Sequence, residues 1–164
     1  SDLTRREADI AIRSFQPSQS SLITRKLGME TIRLYGAHEY LDSFNHMEPD
    51  TTAQGLQIIG FNETDAIMQK LDQQGLSLTA ENFKVTTDCL LTQLQFCKAG
   101  LGVMCLTQDV GDHDQQLTRG FDRSFTPIDL PVWIVCHEEL HTNLRVRRVF
   151  DFVSEALKQY LSKM

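Results

Sequence analysis

The sequence predicts an α/β fold, and three observations carry the prediction. Short apolar runs of strand length alternate with segments whose apolar residues recur at helical spacing. Residues 83–106 read as strand, helix, strand, which is the pattern of a parallel βαβ unit. From Leu144 the chain carries a long apolar stripe with charge on the opposite side, the mark of an amphipathic helix.

Taken in order, Ala8 to Ile12 reads as a buried strand, and the Ser-, Gln- and Pro-rich residues 14–21 as a loop. Met29 to Tyr35, with Ile32, Leu34 and Tyr35, suits a second strand, and Ala37 to Phe44 a short helix. Asn45 to Gly55 has no periodicity and reads as a connection between lobes. Leu56 to Ile59 is a short strand closed by Gly60, and Asp65 to Gln73 a modest helix. Phe83 to Thr86 is a strand, and Asp88 is placed to cap a helix in which Leu90, Leu91, Leu94 and Cys97 recur. Gly100 stops that helix, and Leu101 to Leu106 forms the next strand. Residues 107–127 are polar, with Gly111 and Gly120, and Val132 to Cys136 is a further buried strand. In the last helix, from Leu144, Val146, Val149, Phe150, Val153, Ala156, Leu157, Tyr160 and Leu161 line one stripe, with charge on the other side.

Composition excludes several classes. The 164 residues suit one domain or two small lobes, and 41% apolar residues suffice for a core. A net charge of −6 argues against a nucleic-acid grip by this chain, since Arg145, Arg147 and Arg148 are followed by Asp151 and Glu155. Cysteines 89, 97, 105 and 136 make no CxxC and stand in apolar runs, so they read as buried free thiols of a reducing compartment, the cytoplasm. No apolar stretch approaches the roughly 20 residues that span a bilayer, and no membrane partner is expected. The chain opens on Ser1 and soon enters a strand, which reads as a piece of a longer protein.

Four segments in fixed order carry a resemblance. They are Ala8-Asp9-Ile10-Ala11-Ile12-Arg13, residues 33–41, Lys98-Ala99-Gly100-Leu101-Gly102-Val103, and Leu130-Pro131-Val132-Trp133-Ile134-Val135 leading into residues 145–152. In this order the chain resembles the effector-binding domain of LysR-type transcriptional regulators. The resemblance implies a two-lobed fold of the type 2 periplasmic-binding-protein kind, with a small-molecule effector held between lobes. Carried over, residues 1–44 are a partial first lobe, 45–132 the second, and 133–164 the return strand and last helix of the first. The strand, helix, strand, helix stretch that opens such domains is missing, so the first lobe is expected to be incomplete. The resemblance also implies a homodimer or tetramer, and contact with DNA only through an N-terminal domain absent from this chain.

Candidate effector contacts sit at strand ends, where ligands gather in open parallel sheets. They are Arg13 and Ser14, Phe61 and Asn62, and Thr86 and Thr87. Each also has a plain structural reading, as a surface ion pair or a cap. Arg13 favours a carboxylate or phosphate, which guanidinium binds in two-pronged fashion.

Two other functions compete. His137-Glu138-Glu139-Leu140-His141 matches the HExxH pattern of zinc peptidases, in which two His one helical turn apart hold zinc and the Glu activates water. Glu155 is the nominal third ligand. Against it, the motif follows a strand-like run, and Thr142 and Asn143 read as caps, leaving residues 137–140 in a turn. The sequence contains no GxSxG and no Walker A pattern. The expectation is therefore no enzyme, no cofactor and no metal. A periplasmic solute-binding module shares the fold; free cysteines and the lack of an export signal count against it.

Overall fold

A computed structural model describes residues 8–44 and 55–163, so the 45–54 connection lies outside the described residues. The elements are β1 (Ile10–Arg13), β2 (Leu22–Ala37), α1 (His38–Asp42), β3 (Ile59–Gly60), α2 (Asp65–Gln73), β4 (Val85–Thr86), α3 (Leu90–Lys98), β5 (Met104–Thr107), α4 (Gln108–His113), β6 (Leu117–Arg119), β7 (Ile128–His137), α5 (Glu138–His141) and α6 (Leu144–Leu161). A five-stranded sheet has the order β1-β7-β2-β5, with β6 also on β2. β3 and β4 form a separate parallel pair.

The chain divides into two compact units, residues 1–30 with 129–164, and residues 31–128. The sequence places the borders at 44/45 and 132/133. The compact units change over inside β2 and at the start of β7. The second half of β2 belongs with residues 31–128 because it pairs antiparallel with β5 and β6, from Ile32↔Thr107 to Ala37↔Leu117.

In the first unit, β1 runs antiparallel to β7 with Ile10 opposite Cys136 and Arg13 opposite Trp133. One sheet face presents Leu27, Val132, Ile134 and Cys136, and α6 covers it with Phe150, Val153, Leu157 and Leu161. Spacings of three and four place those four residues on one side of the helix. Asn143 starts α6 by accepting the Arg145 amide at 2.9 Å. The covered stripe is narrower than the sequence reading: Val149 is 48% and Tyr160 45% exposed, and Ala156 is exposed too. Ser154 is fully buried in their place and satisfies its hydroxyl on the Phe150 carbonyl at 2.7 Å.

In the second unit the core gathers Tyr35, Ile59, Cys97, Met104, Leu106 and Leu117. The βαβ reading holds in direction: β3 and β4 are parallel, and Ile58 bridges Val103 in parallel. The strand around Ile58–Gly60 lies between the other two, so β4 and β5 are not neighbours. Gly100 ends α3 with φ +75°, a backbone state that glycine adopts without strain. Residues 107–127, read only as polar, contain α4 and β6. A polar lattice explains them. The buried Tyr35 hydroxyl donates to Asp112 at 2.7 Å, and Arg119 grips the same carboxylate in two-pronged fashion. Burial, then the hydrogen bond to Asp112 and its charge, push the Tyr35 phenol up to about 12. Gly111 is required where α4 meets the Tyr35 ring, because a Cβ there would stand 2.3 Å from the ring.

The cysteines divide. Cys97 and Cys136 are buried as expected, but Cys105 is only partly buried and Cys89 is exposed. Cys89 precedes α3 on its solvent side, which an apolar neighbourhood in sequence does not reveal.

Candidate functional site

Because β3 and β4 are parallel, their carboxyl ends open on the same edge. Phe61 and Asn62 follow β3; Thr86 ends β4, and Thr87 and Asp88 follow it. These residues stand beside one another, with Thr87 donating its amide to Gly60 O at 3.0 Å. A shallow open depression of about 550 Å³ lies here, lined by Phe61, Asn62, Glu63, Ile67, Lys70 and Asp88. Phe61 is 39% exposed, far more than a core aromatic.

Asp88 does not cap α3, as its sequence position suggests. The N-cap residue is Cys89, and the Asp88 carboxylate turns to Asn62 instead. It accepts the Asn62 amide at 3.0 Å and the Asn62 side-chain nitrogen at 2.7 Å. Two donors from one residue serve it better than a lone helix amide. Thr87 supplies the local stop, its hydroxyl accepting the Cys89 amide at 3.3 Å.

Gln93 links the two strand ends. It is 2% exposed, and its side-chain nitrogen donates to Gly60 O at 3.0 Å and Thr87 O at 2.7 Å. A buried carboxamide thus ties both strand ends to α3. Sequence reasoning missed Gln93 and gave Asp88 the role of a helix cap. The available signal was that α3 puts a polar residue at the position between Leu90 and Leu94 on its helical stripe; Leu90 and Leu91, counted as core, are 50% and 74% exposed.

Of the expected contacts, Phe61 and Asn62 line the depression, while Thr86 and Thr87 sit on the adjacent strand end. Arg13 and Ser14 belong to the first unit. Arg13 is half-buried at the end of β1, and Ser14 lies exposed just beyond it.

The HExxH residues are arranged unlike a zinc site. His137 ends β7, and α5 is a single turn in which His137 Nδ1 accepts the Glu139 amide at 3.4 Å. The His141 ring stands edge-on to Phe150 at 5.5 Å. Thr142 serves the end of α5, its hydroxyl donating to Glu139 O at 2.7 Å, and only Asn143 caps α6. Among the described residues no three His, Cys, Asp or Glu are grouped to hold a metal ion. No helix among them is long and apolar enough to cross a membrane.

Comparison with known proteins bears on the family and the fold. Residues 1–158 match the family model of the LysR substrate binding domain. The chain is 29% identical over 164 residues to the HTH-type transcriptional regulator CrgA of Neisseria meningitidis serogroup B, and 27% over 162 residues to that of serogroup C. Each match covers 95% of this chain and 54% of the relative, so the chain spans about half the length of the curated relatives it matches. The fold resembles the regulatory domain of N. meningitidis CrgA, with TM-score 0.75, 24% identity, and coverage of 94% of this chain and 78% of that one. It also resembles the full-length Vibrio cholerae virulence activator AphB, at TM-score 0.63 and 21% identity over 93% of this chain and 53% of that one. The fold is thus the α/β, type 2 periplasmic-binding-protein-like class of those regulators. The relatives are named as transcriptional regulators, and the family match supports an effector-binding domain over the zinc-peptidase and periplasmic-module readings. The chain belongs to the LysR substrate binding domain family.

Proposed function

We propose that this chain is the sensor of a cytoplasmic LysR-type regulator. A small-molecule effector binds it, and the change in population is relayed to a DNA-binding domain outside the chain. The observation that supports the reading is the depression at the parallel strand ends, with Phe61 and Asn62 in its wall and Gln93 tying the two strand ends to α3. The regulator works as a homodimer or tetramer, and this chain contributes no DNA contact of its own. Arg13 and Ser14 are proposed as effector contacts from the resemblance and from the chemistry of a guanidinium at a strand end, which favours an anionic group. Phe61, Asn62, Thr86 and Thr87 are proposed from their place beside the depression.

A metabolite screen by thermal shift on the full-length regulator identifies the effector, and calorimetric titration then tests the contacts. Arg13→Ala and Thr87→Ala should each weaken binding by about ten- to hundredfold, the effect of losing a hydrogen bond to a charged group. Cys105→Ala should lower stability and leave affinity nearly unchanged. The placement is wrong if Cys105→Ala abolishes binding at full stability while the other two variants bind normally.

A further inference from the structure

The depression beside β3 and β4 is lined by more acidic than basic groups. Two carboxylates, Glu63 and Asp88, line it against one ammonium, Lys70. Asp88 is held in place by the two donors of Asn62. A carboxylate offers about four acceptor positions, so two remain after Asn62 is served. Phe61 turns an exposed ring into the same space, and Ile67 adds an apolar wall. A cation beside a ring face and a carboxylate gains from both. The positive end of α2 does not reverse this balance, because Glu63 and Asp65 already stand at that end. An anion entering here would meet two like charges.

We infer that the group seated in this depression is a protonated amine or guanidinium on a small apolar skeleton, held by Asp88 and Glu63 against the Phe61 ring. This rests on the reading of the depression as an effector contact. It adds the ligand class, which neither the strand-end position nor the family match specifies. It differs in sign from the anionic preference attached to Arg13, which belongs to the other unit.

The test uses probes matched in skeleton and opposite in charge: phenethylamine against 3-phenylpropanoate, and 1,5-diaminopentane against glutarate. Each is titrated into the full chain at neutral pH while backbone amide shifts of Asn62, Glu63 and Asp88 are followed by NMR. The amines should move these signals saturably, and the carboxylates should leave them in place. Glu63→Gln and Asp88→Asn should each weaken amine binding by about tenfold, and Lys70→Gln should strengthen it. Glu63→Gln keeps the inference testable if Asp88→Asn disturbs the Asn62 contact. Carboxylates that bind here in preference to amines would overturn the charge assignment and leave the effector-site reading standing. If neither charge moves these signals, while an effector found by the thermal-shift screen perturbs other residues, the effector-site reading falls and the inference with it.

Discussion

Tyr35 shows how much one side chain decides. Its hydroxyl is buried, shared between Asp112 and the Gln108 carbonyl, and the phenol resists ionisation up to about 12. A raised folded value against an ordinary 10.0 gives stability that is complete below pH 10 and is lost as pH rises toward 12. Alkaline melts should show that fall, and Tyr35→Phe should flatten it while lowering stability at neutral pH by about 1–3 kcal/mol, since Asp112 loses a donor. The opposite sign holds at the acid end. Arg119 beside Asp112 and Lys98 beside Asp114 hold both carboxyls below their ordinary 3.8, so stability present above that value should be lost as pH falls below it. Arg119→Gln should blunt the acid loss in a pH series of melts. Thiol titration checks the cysteines. Cys89, exposed and with its thiol lowered by the Thr92 hydroxyl, should react at once with a disulfide reagent. Cys97, fully buried with its thiol pushed up to about 11, should react only on unfolding.

At the scale of elements, the covered side of α6 is a measurable claim. Phe150 is fully buried against the sheet, whereas Phe152, two residues on, is 75% exposed. Phe150→Ala should cost about 3–5 kcal/mol in chemical denaturation, and Phe152→Ala within about 0.5 kcal/mol of zero. Equal losses would mean that both faces of the helix are covered. In α3, Gln93→Leu should cost about 1–3 kcal/mol despite its added apolar surface, because the Gly60 and Thr87 carbonyls lose their shared donor. The extents of α2 and α6 match the sequence reading because helical periodicity and the caps that start or stop a helix are local. β2 was half-read. Its first part, Leu22–Gly28, alternates polar and apolar residues weakly and is held by its neighbours in the sheet.

For the molecule as a whole, the chain enters the second unit inside β2 and leaves it as β7 begins, so both long strands serve as connections as well as sheet members. Its acidity bears on function at this scale. With net charge −6, the 164 residues alone should give no sequence-specific gel shift at physiological salt, because phosphate neutralisation supplies most of such binding. A specific shift from this chain alone would contradict the assignment of DNA contact to a separate domain.

The α/β class, the extents of α2 and α6, the direction of the βαβ unit and the family were determined by the sequence alone. Each rests on patterns within a few residues or on segments in fixed order. The tertiary structure decided the rest. Asn62 and Asp88 are 26 residues apart, and Gln93 reaches Gly60 across 33. The exposure of Cys89 and Leu91, the narrow contact stripe of α6, and the turn of Asp88 away from its helix follow from what packs against each residue. A side chain chooses the better of two partners, and the second partner becomes available only once distant strands have met.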